Sequence, residues 1–237
     1  LDSGELLFMA PGKDASTFEA FAEELARHGG RPGQIEELAM DMSKAFRKGA
    51  AKHFPEAKIS FDRFHVMMLA GEALDDVRRE VATREGGLEK GAMWSLRGNA
   101  SRLSQSAAEL RQRLCRDYGE IGRAMGLREF LRDTWNYTTR ELAEEHLSSW
   151  YSWARRSRLE PFKKLARTIR EHWEGILNYC HHWTTSAAIE SLHSKLQLAR
   201  SRARGFRNFG YFRAIAYWIA GGLEPASNLP DPLPSAF

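Results

Sequence analysis

The stretch IEELAMDMSKAFRKGAAKHFPEAKISFDRFHVM, residues 35–67, decides the fold. Two apolar runs within it, IEELAM (35–40) and KISFD (58–62), read as strands, although the first carries two glutamates. Between them Phe46, Ala50 and Phe54 share one face of a helix from about Ser43 to His53, which Pro55 ends. Strands alternating with helices over short links are an α/β signature and imply at least one parallel pairing. Upstream, ELLFM (5–9) reads as another short buried strand. Ser16 and Glu19 fit a capping box, Phe18, Phe21, Ala22 and Leu25 follow at helical spacing, and Gly29-Gly30 stops that helix.

The rest of the chain has a different texture. From Arg63 to about Tyr179 the sequence reads as helical throughout. Leu69, Leu74, Val77 and Val81 continue one helix. Leu96, Leu103 and Leu110 recur every seven residues, flanked by Ala107, Leu114 and Ile121, and predict a long amphipathic helix in a bundle. Trp135, Trp150, Tyr151, Trp153 and Trp173 supply large apolar surface for packing between helices. The chain is therefore mostly helical, with an all-helical block of over a hundred residues appended to an α/β unit.

Composition sets the outer limits. The chain has 237 residues, 43% hydrophobic and 28% charged, which is ordinary for a globular protein and excludes a collagen-like or disordered one. No apolar run approaches the ~18 residues of a membrane span, and Ala214 to Leu223 is too short. The first residues lack the basic start and apolar core of a secretory signal. Two cysteines, Cys115 and Cys180, with no CxxC spacing, argue against a disulfide framework or a structural zinc site. Cys180, His181 and His182 are adjacent, so their side chains diverge. Four of the eight prolines fall in the last fourteen residues, which predicts an irregular end.

Charge is unevenly spread. The net charge is +4, with 26 arginines against 9 lysines. Residues 1–60 are near neutral, with 10 acidic and 8 basic side chains. Between Ser191 and Leu223 there are six basic residues, Lys195, Arg200, Arg202, Arg204, Arg207 and Arg213, and no acid. Such a run draws phosphate groups. Phe206, Phe209, Tyr211 and Phe212 interleave with it, either stacking on bases or packing the last helix onto the core.

Three acids and a histidine could carry chemistry. Asp41 directly follows a predicted strand and precedes a helix, where a carboxylate either binds a divalent cation or caps the helix. Asp62 and His65 follow the next strand, as an acid–base or ligand pair, or as a cap with a satisfied histidine. Glu190 lies on a predicted helix whose buried stripe is Ile189, Leu192, Leu196 and Ala199. It falls off that stripe, as a surface glutamate or as a carboxylate that meets a metal beside the basic run.

Taken together, these segments resemble the DDE transposases of bacterial insertion sequences, of the ISL-three type. The resemblance is carried, in family order, by residues 35–67, EALDDVRRE (72–80), KGAMWSLRGN (90–99), LEPFKKLARTIREHWEGILNY (159–179) and SAAIESLHSKLQLARSRARGFRNFGYFR (186–213). It implies an α/β RNase H-like core with a mixed sheet, residues 1–62 and 184–237, interrupted by an α-helical insertion over 63–183. It implies three acids holding two Mg2+ or Mn2+ ions for DNA strand cleavage and transfer, the second matching Asp41 and the third Glu190. Asp62 and His65 match a supporting motif after the next strand, and Lys195, Arg200, Arg202, Arg204 and Arg207 would bind DNA. The partners implied are transposon ends and target DNA, within a homo-oligomer in the bacterial cytoplasm, associated with the nucleoid.

The match departs from the family at two places. His193 stands where an asparagine is expected. LDSGELLFM resembles the end of the second core strand and the third, so Asp2 matches a turn and not the first catalytic acid. The first strand and that acid are then absent, which reads as an N-terminally truncated transposase with little cleavage activity of its own. The alternative is a catalytically dead, DNA-binding remnant.

Overall fold

A computed structural model describes residues 6–179 and 185–221 apart from Lys13, Arg204 and Arg207, with Ala100 and 185–193 described by backbone alone. Helix α1 (Ser16–Arg27) leads into strand β1 (Glu37–Met40), helix α2 (Lys44–His53) and strand β2 (Lys58–Phe61). The strands pair in parallel with Glu37 opposite Lys58 and Met40 opposite Phe61. The crossover through α2 dictates this direction, because a short hairpin is not available to strands separated by a helix.

The expected mixed sheet is thus corrected: the described residues form one parallel pair. Residues 6–9 of ELLFM form no strand. The Leu6 amide donates to the Ala220 carbonyl at 2.5 Å, the Tyr217 hydroxyl donates to the Leu7 carbonyl at 3.2 Å, and the Phe8 ring meets Phe21 at 5.7 Å. The apolar run is used against helices, not in a ladder. The Ser16 capping box is also replaced. Asp14 Oδ1 accepts from the Ser16 amide at 2.9 Å, so the capping acceptor lies two residues earlier than the sequence suggests.

After β2 the chain is helical to the end of the described residues. Helices α3 (Arg63–Arg84), α4 (Ala92–Arg97), α5 (Gln105–Asp117), α6 (Gly119–Asp133), α7 (Arg140–Arg156), α8 (Glu160–Glu171) and α9 (Trp173–Tyr179) form the block. Helices α10 (Thr185–Arg202) and α11 (Phe209–Ala220) follow. The single long helix predicted from Leu96, Leu103 and Leu110 is broken into α4, a 3-10 turn and α5. A Cβ on Gly98 would fall 2.6 Å from the Leu103 side chain and 3.0 Å from the Trp94 carbonyl, so the chain turns tightly there. Ser104 then restarts the helix, its hydroxyl accepting from the Ala107 amide at 3.3 Å.

One core runs through both parts. Met40, Ala50 and Phe61 from the strand unit join Leu74, Ile121, Leu127, Trp150 and Phe162 from the helical block. Trp135, Trp150 and Trp173 are buried as packing anchors, whereas Trp153 is partly exposed. An Arg84–Glu120 ion pair at 2.6 Å links α3 to α6, and the hydrogen bond from Arg84 holds the Glu120 carboxyl below its usual range.

Helix α9 lies against β2. Asn178 Nδ2 donates to the Ile59 carbonyl at 2.9 Å, and a Cβ on Gly175 would overlap the Phe61 ring and lie 3.3 Å from the Ile59 carbonyl. Gly175→Ala should therefore push α9 off the strand and cost about 1–3 kcal/mol. Thermal denaturation should show a drop of about 2–4 °C per kcal/mol. An unchanged midpoint would mean that α9 does not seat on β2 in solution.

Candidate active site

The parallel register fixes the neighbourhood of the candidate acids. Met40 and Phe61 are the last paired residues, so Asp41 and Asp62 leave adjacent strands side by side. The Asp62 amide donates to the Met40 carbonyl at 3.2 Å, extending the ladder to the rim. Both acids then fold back on the chain in the same way. Asp41 Oδ1 accepts from the Ser43 amide at 2.8 Å, and Asp62 Oδ1 accepts from the Phe64 amide at 2.9 Å.

The two carboxylates differ in what remains. Asp62 caps α3, and its Oδ2 lies 3.3 Å from His65 Nδ1, so both its oxygens are engaged. Asp41 is half-buried, and its Oδ2 has no hydrogen-bond or ion-pair partner among the described residues. A half-buried carboxylate with one oxygen pinned and one free suits a hard divalent cation. The donor set therefore fits magnesium or manganese at Asp41 better than at Asp62. No cluster of three or more His, Cys, Asp or Glu side chains forms a metal site among the described residues.

Glu190 lies within α10, but its side chain falls outside the described residues, as do Arg204, Arg207 and the Cys180–His182 run. Helix α10 packs on α11. Lys195, Arg200, Arg202 and Arg213 are exposed, and no described acid pairs with them. The aromatic residues of this region do not all pack inward. Phe206 and Phe212 meet at 5.1 Å, while Tyr211 and Trp218 are about two-thirds exposed and only Ala216 of α11 is buried.

Comparison with known sequences settles the family. A sequence model of ISL-three-type (ISL3) DDE transposases, described as "Transposase", matches residues 1–216. The chain belongs to this transposase family. It is 27% identical over 215 residues to "Transposase for insertion sequence element IS1001" of Bordetella parapertussis, covering 88% of this chain and 52% of that one. It is 28% identical over 251 residues to "Transposase for insertion sequence element IS1557" of Mycobacterium tuberculosis (strain CDC 1551 / Oshkosh), covering 94% and 56%. The transposase chain thus spans about half the length of the curated relatives it matches. No solved structure matches it. Among the described residues, no helix is long and apolar enough to cross a membrane.

One feature of the transposase escaped the reading of its sequence. Besides the basic run near the C-terminus, residues 155–171 hold seven basic side chains against two acidic. A sliding charge count would have found them. They were masked by the apolar stripe Phe162, Leu165, Ala166 and Ile169, which reads as an ordinary amphipathic helix.

Proposed function

We propose that this chain forms part of a DDE-type enzyme that cuts and joins DNA strands to move an insertion sequence. The observation that carries the reading is the free carboxylate oxygen of the half-buried Asp41 at the carboxyl end of a parallel strand, in a chain of this family. The strand unit with α10 and α11 serves as an RNase H-like core, residues 1–62 and 184–237, and residues 63–183 as a helical insertion.

Asp41 and Glu190 would hold the divalent cations together with a further acid of the family's set. Bound magnesium or manganese supplies positive charge at the scissile phosphate and eases loss of the proton from the attacking hydroxyl. The chain's own residues position and shield. The Ser43 amide fixes the Asp41 carboxylate, and Asp62 orders the start of α3 and orients His65. Lys195, Arg200, Arg202, Arg204 and Arg207 hold DNA by its phosphates, and the working enzyme is a homo-oligomer associated with the nucleoid. Residues 1–237 by themselves supply two of the three acids, and without a first acid in cis or in trans they cleave little. A misplacement of about 1 Å already costs ~10²-fold in rate.

Nicking of supercoiled plasmid with magnesium or manganese tests this reading. Residues 1–237 alone should nick weakly, and adding a segment that carries the first acid should restore nicking that Glu190→Gln abolishes. Strong nicking by the Glu190→Gln protein would overturn the assignment.

A further inference from the structure

The hairpin of α7 and α8 carries +5 of net charge over residues 155–171, more than the +4 of the whole chain. Only Lys163 of its seven cations has an acid partner among the described residues, Glu160 at 2.7 Å. Arg155, Arg156, Arg158, Lys164, Arg167 and Arg170 are exposed and form no ion pair there. Glu144 and Glu174, the nearby acids of α7 and α9, are used elsewhere: Glu144 accepts from Trp173 Nε1 at 3.2 Å, and Glu174 pairs with Arg140 at 2.6 Å.

The cations are held by a rigid frame. The Arg155 and Arg170 guanidiniums, from different helices, lie 5.5 and 6.0 Å from the centre of the same ring, Tyr151. Arg170 also lies 5.1 Å from the Trp173 ring. Stacking on an aromatic face uses the plane of a guanidinium and leaves its N–H edge free for an anion. Arg156 is tied to the Ser152 carbonyl at 3.1 Å, and an open cavity of about 340 Å³ is lined by Tyr151, Ser152, Arg155 and Arg156.

The turn between the helices is equally fixed. Ser157 is buried, its hydroxyl donating to the Ala154 carbonyl at 2.7 Å and accepting from the Leu159 amide at 3.2 Å. Its own carbonyl accepts from Arg123 Nη1 at 2.7 Å. Arg158 takes the left-handed conformation, φ 62°, which a long side chain rarely adopts. The fixed turn places a fourth guanidinium at the hairpin tip.

We infer that the α7–α8 hairpin is a second DNA-docking surface, separate from the basic run of α10, that grips the phosphate backbone of a duplex without reading its sequence. This rests on the reading that the chain handles DNA. Seven like charges gathered on a fixed frame, against only Glu160 and Glu171, are relieved by a polyanion, and arginine forks suit phosphate oxygens. The exposed groups of this surface are guanidinium and ammonium cations, which meet phosphate oxygens, so the contact is electrostatic.

Fluorescence anisotropy of a labelled random-sequence duplex, measured against salt with the whole chain, tests this. Changing Arg155, Lys164 and Arg167 together to Gln should weaken binding at least about tenfold. It should also make the slope of log K against log salt shallower by about 1 per residue removed. Arg158→Gly keeps the left-handed turn and should lower the slope by about 1. Changing Arg79, Arg113 and Arg116 to Gln removes the same charge from cations that are already paired, and should leave the slope nearly unchanged. Equal effects of the two triple variants at unaltered melting temperature would overturn the inference, because net charge alone would then explain binding. Binding lost only on changing Arg200 and Arg202 would overturn it and leave the DNA-handling reading intact. No duplex binding at all would overturn both. Displacement of the hairpin's duplex by polyglutamate at equal charge concentration would overturn it in favour of an acidic protein partner.

Discussion

Asp41→Asn should abolish strand cleavage in a chain that carries the complete set of acids, while Asp62→Asn should not. Both substitutions keep an amide oxygen where the carboxylate accepts its backbone hydrogen bond, from Ser43 at 2.8 Å or from Phe64 at 2.9 Å. Asparagine caps a helix as well as aspartate at position 62 and can accept the same backbone bond at position 41, so neither variant should lose much stability. What each loses is negative charge. At Asp41 that charge resides on a carboxylate with a free oxygen, and its loss removes several kcal/mol of support for a bound cation. At about 1.4 kcal/mol per factor of ten, cleavage should fall by at least ~10³-fold. At Asp62 both oxygens are committed to Phe64 and His65, and the rate should stay within about tenfold. Single-turnover cleavage in magnesium, with circular dichroism to confirm folding, makes the comparison. The reverse order of effects would exchange the two roles and make Asp62 the metal ligand.

The sequence showed β1, α2 and β2 to within a residue or two, because each carries a local signal: an apolar run, a 3.6-residue stripe, a proline stop. The positions of Asp41 and Asp62 just past the strand ends were legible for the same reason, since a strand end in a parallel pair is fixed by its immediate neighbours. Patterns that depend on distant partners were not legible. ELLFM reads as a strand from composition alone, yet Leu6 and Leu7 bond to α11 more than two hundred residues away. Of the leucine heptad, Leu96 and Leu110 are buried and Leu103 is half-buried, but its members belong to separate elements divided at Gly98 and Ser104. The basic hairpin is hidden in the sequence because its cations alternate with a core stripe, and the lack of an acid partner for all of them but Lys163 is a tertiary property.

The continuity of the core has a mechanical consequence for the site. Trp150→Ala should destabilise the whole chain, strands included, by about 3–5 kcal/mol. Trp150 is fully buried, and its indole N–H donates to the Leu127 carbonyl at 2.9 Å, so truncation removes both packing and a hydrogen bond between α7 and α6. A typical domain is stable by only about 5–15 kcal/mol, so the variant sits near its unfolding threshold. Trp150→Phe keeps most of the ring area and should cost less than half as much. Trp150 belongs to the same buried cluster as Met40 and Phe61, the residues immediately before Asp41 and Asp62. Urea unfolding should therefore show one transition, shifted to lower urea, and amide exchange at 37–40 and 58–61 should speed up together with that of α7. Exchange that rises in α6 and α7 while the strands stay protected would show that the helical block unfolds by itself. The geometry of the two acids would then be independent of the helices packed behind them, contrary to the seating of Gly175 and Asn178 on β2.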